Sequence, residues 1–115
     1  MMRLPNPEHL QVDREKILDY LLSPSHPDGQ TKAEFFRRFG FLRDQWEVLA
    51  EALRQHGMTH PISKTVESPH GTRYSVDGEI ESPDGRNPRI RSVWIVEAGS
   101  RIPRLITTHP LEVPG

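Results

Sequence analysis

Five polar side chains of this sequence are suited to acid–base chemistry on a phosphodiester. They are His26, Lys32, Arg73, Thr107 and His109. An imidazole exchanges protons near neutral pH, a lysine or arginine stabilises a phosphorane, and a hydroxyl donates a hydrogen bond. Acid–base cleavage of RNA needs a base near the 2′-hydroxyl, an acid near the departing 5′-oxygen, and cations around the phosphate. The hypothesis therefore requires distant segments of the chain to meet at one site.

The loop that carries His26 leads into a helix. It belongs to the segment SPSHPDGQTKAEFFRRFGF, residues 23 to 41. Thr31 followed by Glu34 has the spacing of a capping box, which predicts a helix that begins at Thr31. Lys32 then lies in the first turn, against the positive end of the helix dipole, where a bound anion would favour a cation. The alternative is that Lys32 points into solvent and that the loop is only a surface turn.

A second group of basic residues lies in the C-terminal half. Arg89 and Arg91 are predicted to share one face of a strand, provided that the register holds through Ser92. Together with His109 they are predicted to bind substrate, because an open sheet face that carries arginines can hold an RNA phosphate. The alternative is neutralisation across strands, since acidic and basic residues are equally numerous in this half.

The sequence does not predict a metal or a cofactor. His56 and His60 have a spacing that suits a metal on one helix, but Gly57 is predicted to end that helix and no third ligand follows. The absence of cysteine excludes thiolate sites. Walker, dinucleotide-binding, zinc-protease and EF-hand motifs are also absent.

Hydropathy patterns predict helices first and strands afterwards. Trp46, Leu49 and Leu53 recur with the period of an amphipathic helix, and two other helices are predicted from about Asp13 and from Thr31. RYSVDGEIE alternates as a strand does, and IRSVWIV is apolar on both faces, which predicts a central strand covered on both sides. We expect an α+β fold, with about three helices on one face of a roughly four-stranded antiparallel sheet. The expected organisation is an extended arm at 1–12, one domain at 13–111 and a tail at 112–115.

Composition restricts the class of protein further. The chain has 115 residues, a formal net charge of −1 and 34% hydrophobic residues. The net charge therefore does not favour binding to nucleic acid or membranes, and any such binding must come from a local charged patch. Because no long apolar segment is present, we expect a cytoplasmic protein that does not interact with membranes.

The order of several motifs resembles a bacterial family of unknown function. The motifs include DREKILDYLLSPSHPDGQTKAEFFRRFGF, GTRYSVDGEIESPDGR, SVWIVEAG and PRLITTHPL, and the likeness spans roughly residues 4 to 111. Members of that family occur as small stand-alone proteins and as C-terminal domains of polymorphic toxins. Its layout is similar to the barnase–EndoU–colicin–RelE group of metal-independent ribonuclease toxins.

The resemblance implies functional roles for particular residues. His26 and Lys32 match the loop–helix signature, Thr107 matches a late-strand hydroxyl, and Arg73 accompanies the Gly-x-x-Tyr strand motif. This chain has His109 where the family often has tyrosine, in a Thr-Ala-Tyr-Pro pattern.

Two functions follow as alternatives. The first is a ribonuclease-like toxin domain that acts on RNA, such as transfer RNA, and is encoded with a neutralising protein partner. The second is a non-catalytic protein-binding module of the immunity or partner-recognition type. A homodimer that pairs through an exposed strand edge is compatible with both.

Overall fold

The computed structural model describes residues 2–111, so the predicted tail at 112–115 lies outside the described residues. Helical segments come first and strands follow. The helical segments are a 3-10 turn at Pro7–His9, α1 at Arg14–Lys16 continued by a π-helical turn at Ile17–Leu21, α2 at Gln30–Arg38, a 3-10 turn at Arg43–Gln45, and α3 at Trp46–Thr59. The strands are β1 at Ile62–Ser68, β2 at Gly71–Glu79, β3 at Arg89–Glu97 and β4 at Arg104–Pro110. This order confirms the predicted α+β class.

The start of α2 differs from the prediction. The helix begins at Gln30 with Gly29 as its N-cap, and no side chain caps it, so the predicted capping box of Thr31 and Glu34 is wrong. Close packing requires a glycine at position 29, because a Cβ on it would lie 2.1 Å from the carbonyl oxygen of Tyr20. Only glycine allows the π-helical turn and the start of α2 to approach so closely.

The end of α3 also differs from the prediction. Gly57 lies inside the helix, which continues to Thr59. A Cβ on Gly57 would lie 2.8 Å from the Trp94 ring and 2.9 Å from Leu10. Tertiary packing of the helix on the sheet therefore outweighs the low helix propensity of glycine here.

The sheet is antiparallel with the strand order β1-β2-β3-β4, so β1 and β4 are its edges. The helices pack against the face that carries Val76, Ile90, Trp94 and Leu105, all of which are buried in the core. We call the opposite side the open face. On this face Val66 and Arg73 are exposed, whereas Val93 on the central strand β3 is buried.

One buried histidine connects α3 with the sheet. Gly78 O accepts a hydrogen bond from His56 Nε2 at 3.1 Å, so His56 Nδ1 is the acceptor for the Ser92 hydroxyl at 2.9 Å. Trp94 Nε1 donates to the same hydroxyl oxygen at 2.8 Å. Burial lowers the pKa of His56 from 6.5 to about 4. His56 is therefore a neutral structural group.

None of the helices in the described part of the chain is long and apolar enough to cross a lipid bilayer.

Candidate functional site

The loop before α2 is held by two side chains that accept backbone hydrogen bonds. Ser23 Oγ accepts from the amide of His26 at 3.2 Å. His26 Nδ1 accepts from the amides of Asp28 and Gly29, both at 3.0 Å. The imidazole thus accepts the two amides that immediately precede Gln30, the first residue of α2.

These contacts define the hydrogen positions on the His26 ring. A ring nitrogen that accepts two backbone N–H groups carries no hydrogen, so the hydrogen of the neutral ring is on Nε2. In this arrangement His26 presents a hydrogen-bond donor to its surroundings. It is not arranged to accept a proton.

Tyr20 connects the His26 loop to the sheet. Its ring packs edge-on against the His26 ring with centroids 5.0 Å apart, and its hydroxyl lies 2.8 Å from Thr107 Oγ1. Tyr20 is on the π-helical turn that follows α1, and such single-turn segments are frequent at functional sites. A pocket of about 410 Å³, which we call the His26 pocket, is lined by Lys16, Tyr20, His26, Asp28, Ile106 and Thr107.

A second pocket lies on the open face of the sheet, and we call it the sheet pocket. Its volume is about 230 Å³. It shares Ile106 and Thr107 with the His26 pocket, so the two pockets adjoin at β4. The β3–β4 register shifts between Val93 and Trp94, and Ile106 is the unpaired residue of that bulge. The lining consists of Lys64, Val66, Arg73, Ser75, Val93, Ile106, Thr107 and His109.

Lys32 and His109 lie near each other across the α2–β4 boundary. The pKa of His109 is lowered from 6.5 by partial burial, and next by the positive charges of Lys32 and Arg91. Lys32 itself lines neither pocket, but α2, which carries it, contacts β4.

Arg89 and Arg91, predicted to bind substrate, line neither pocket. The β2–β3 register is continuous through Ser92, so both arginines are on the open face as expected. Arg91 makes a bidentate ion pair with Asp77, at 2.7 and 2.9 Å. Arg89 is exposed and lies opposite Glu79 in the register. Neutralisation across strands, the alternative considered for these residues, is thus realised for Arg91.

Three cations line the pockets without an ion-pair partner within 4 Å in the described chain: Lys16, Lys64 and Arg73. The Lys16 ammonium lies 5.3 Å from the centroid of the Tyr20 ring. Burial, and next the charge of Arg104, lowers the pKa of Lys16. Asp28 is the one carboxylate in the described lining of the two pockets.

Sequence reasoning missed Tyr20 and Lys16. The sequence does show a tyrosine, with its polar hydroxyl, between the apolar residues Ile17 and Leu21, which are buried in the structure. The sequence does not indicate that this hydroxyl reaches a strand 87 residues later. Within residues 2–111, no group of three or more histidine, aspartate or glutamate side chains is arranged to hold a metal ion.

Comparison with known proteins identifies a family and a similar solved structure. The model of the family described as Domain of unknown function (DUF6883) matches residues 3–112. The solved structure is a contact-dependent growth inhibition toxin–immunity protein complex from Klebsiella pneumoniae 342. The TM-score is 0.72 at 24% identity, and the match covers 87% of this chain and 98% of the other. At that identity the likeness shows a shared fold. No curated protein matches the chain.

Proposed function

This chain belongs to the family described as Domain of unknown function (DUF6883), and from its site we propose a ribonuclease-like toxin domain. It would cleave RNA, such as transfer RNA, by acid–base chemistry without a metal. A protein partner would neutralise it in the cell that makes it.

The observation that carries this proposal is the meeting of His26 and Thr107 on the lining of one pocket. His26 comes from the N-terminal part of the chain and Thr107 from the last strand, and Tyr20 contacts both of them. Polar side chains from separate elements that converge in one concave site are the usual mark of a functional site.

Local charge supports an anionic substrate. The two pockets together are lined by Lys16, Lys64 and Arg73 against a single acidic residue, Asp28. The whole chain, in contrast, has a net charge of −1. A local excess of cations in a chain of nearly balanced charge favours a polyanion at this place.

The geometry suggests a role for each side chain. Thr107, held by Tyr20, and the Nε2–H of His26 would hydrogen-bond the phosphate oxygens. Arg73 and Lys32 would stabilise the additional negative charge of the phosphorane. His26, which the sequence hypothesis used as a proton carrier, would act as a fixed donor.

The fold similarity agrees with this proposal without deciding it. The matched structure is a complex of a toxin with its immunity protein. A toxin domain of this fold would need a protein partner to protect the producing cell, which is the partner that we propose.

Incubation of the purified protein with bulk transfer RNA in EDTA tests the proposal. We expect cleavage by the wild type and a loss of about 100-fold or more for His26→Ala and Thr107→Val, the scale of one removed oxyanion donor. Arg54→Ala is the matched control, because Arg54 lies on α3 and pairs with Glu51 at 3.3 Å. Intact RNA with the wild type, alongside a positive control that is cut, would refute the proposal.

A protein-binding module is the second candidate, and one surface favours it. A groove of about 540 Å³ lies between α3 and the loop after β2, and it is lined by Glu47, Val48, Glu51, Ala52, Gln55, Glu81, Ser82 and Pro83. It shares no residue with the two pockets at β4, and Val48 in it is 44% exposed. If the protein is such a module, Val48→Asp should abolish capture of a stoichiometric partner while Arg73→Ala should not.

A further inference from the structure

We propose that His109 is the general base of the cleavage reaction and takes the proton from the 2′-hydroxyl of the RNA. This inference rests on the proposed function and adds the identity of the proton acceptor.

The structure disfavours the other histidine of the site in this role. His26 Nδ1 already accepts the amides of Asp28 and Gly29, so the ring hydrogen is on Nε2. To accept a proton at Nε2, the ring would have to move its hydrogen to Nδ1 and break both loop contacts. His26 is therefore committed to holding the loop and donating from Nε2.

His109 is placed to reach the same phosphate from the other side. It lies on the open face, two residues after Thr107 on β4, and both residues line the sheet pocket. Thr107 also lines the His26 pocket. A phosphate bound over Thr107 thus has the His26 pocket on one side and His109 on the other. Separation of this kind is what in-line displacement requires of groups that act on the attacking and departing oxygens.

The charged neighbours of His109 favour its neutral form. Lys32 on α2 and Arg91 on β3 are the two cations that act on it, and Arg91 is also paired with Asp77 on β2. Lys64 and Arg73 line the same pocket. Partial burial is the largest cause of the lowered pKa, and the charges of Lys32 and Arg91 follow. A lowered pKa increases the fraction of the ring that is unprotonated at neutral pH and able to accept a proton.

The chemical step balances with these groups and solvent. The 2′-hydroxyl gives its proton to the free ring nitrogen of His109, and the 2′-oxygen forms a bond to phosphorus. The bond from phosphorus to the 5′-oxygen breaks, and this oxygen takes a proton from a water molecule in the open pocket. The protonated His109 then returns its proton to the hydroxide left behind. The products are a 2′,3′-cyclic phosphate and a free 5′-hydroxyl.

The pH dependence of single-turnover cleavage tests this role. We expect the wild-type rate to rise with pH through the pKa of His109 and to level off above it, because only the unprotonated ring is a base. His109→Gln should lose about 100-fold or more at pH 7, the usual contribution of a general base, and should lack this rise. Its affinity for transfer RNA should change by less than about threefold, a difference well below 1 kcal/mol. His109 lies on the edge strand β4 and outside the hydrophobic core, so the variant should fold, and its melting temperature verifies that.

A second variant separates catalysis from a structural role. Lys32→Gln removes a charge that lowers the pKa of His109, so the rise in rate should move to higher pH. The NMR titration of the His109 ring in the free protein should move in the same direction. If His109 had only a structural role, Lys32→Gln would shift the NMR titration of its ring without shifting the pH dependence of the cleavage rate.

The outcomes separate this inference from the proposed function. Cleavage by the wild type, together with an unchanged rate and pH profile in His109→Gln, would overturn the role of His109 and leave the ribonuclease function standing. No cleavage by the wild type would overturn both. Loss of cleavage with a flat pH profile in His109→Gln, and a shifted profile in Lys32→Gln, would support the inference.

Discussion

The hydroxyl groups of Tyr20 and Thr107 lie 2.8 Å apart, although the residues are 87 positions apart in the chain. This contact joins the turn after α1 to the bulged edge strand β4. It orients the hydroxyl that both pockets share, and it places the Tyr20 ring against His26. The candidate site therefore depends on how an N-terminal helix meets the last strand.

Tyr20→Phe tests this contact directly. The substitution removes the hydrogen bond and keeps the ring against His26, so we expect a loss of about 1 kcal/mol in the free energy of unfolding. We also expect RNA cleavage to fall about tenfold, the rate equivalent of roughly 1.4 kcal/mol of lost transition-state stabilisation. Urea unfolding and the EDTA cleavage assay measure the two effects.

The matched control is Tyr74→Phe, because within residues 2–111 the hydroxyl of Tyr74 makes no hydrogen bond to another side chain or to the backbone. Equal behaviour of the two variants would show that the Tyr20 hydroxyl contributes nothing to the site.

Gly29→Ala tests the close packing of the π-helical turn at Ile17–Leu21 against α2. A Cβ at this position would lie 2.1 Å from the Tyr20 carbonyl oxygen, and backbone atoms cannot move aside cheaply. We expect a loss of about 2 kcal/mol or more in stability, at the high end for a single substitution. Gln30→Ala, one residue later and exposed, is the control and should change stability by less than about 0.5 kcal/mol. Similar melting temperatures for both variants would contradict the packing argument.

Acid should destabilise the protein through His56. The pKa of this buried ring is about 4 in the folded protein and 6.5 in the unfolded chain. Because the unfolded state binds the proton first, the contribution of His56 to stability is complete above pH 6.5 and is lost as the pH falls towards 4. The loss is about 3 kcal/mol in total.

Urea unfolding at pH 7 and pH 4.5 measures this loss. In His56→Gln the part of the acid sensitivity that comes from the imidazole should disappear. His70→Gln, which changes an exposed turn residue, should keep the wild-type sensitivity. An identical pH profile for wild type and His56→Gln would be evidence that the buried ring is not the cause.

Salt dependence of RNA binding should report the pocket cations. Arg73→Ala and Lys64→Ala each remove one cation from the sheet pocket, so the slope of log K against log salt should become shallower by about 0.7 for each phosphate that the variant no longer neutralises. Arg101→Ala, in the loop after β3, removes an equal charge outside both pockets and should leave the slope unchanged. If Arg73→Ala, Lys64→Ala and Arg101→Ala all gave the same slope, the RNA would bind outside the sheet pocket.

Part of this architecture follows from local patterns. The period of Trp46, Leu49 and Leu53 predicted α3, and the alternation around Tyr74 and Val76 predicted β2, because each pattern reports which residues face the core. The same reasoning failed at Thr31 and Gly57. In both places a glycine allows a close approach between distant elements, Gly29 with Tyr20 and Gly57 with Trp94. Close approaches of this kind depend on tertiary packing, which a local pattern does not contain.

The site was predictable only as a set of residue types. Loop composition indicated His26, and the resemblance indicated Thr107, but the contact that joins them runs through Tyr20. The roles that we propose for the two histidines depend on partners that appear only in the fold: two loop amides for His26, and Lys32 with Arg91 for His109.

The most direct test of the central claim is the chemistry of the RNA ends. An RNA that the protein cuts should be compared with the same RNA carrying a 2′-O-methyl group at the cleaved nucleotide, both in EDTA. The account predicts a 2′,3′-cyclic phosphate from the unmodified RNA and no cleavage of the methylated one, because the 2′-oxygen is the nucleophile. Equal cleavage of both RNAs would contradict it.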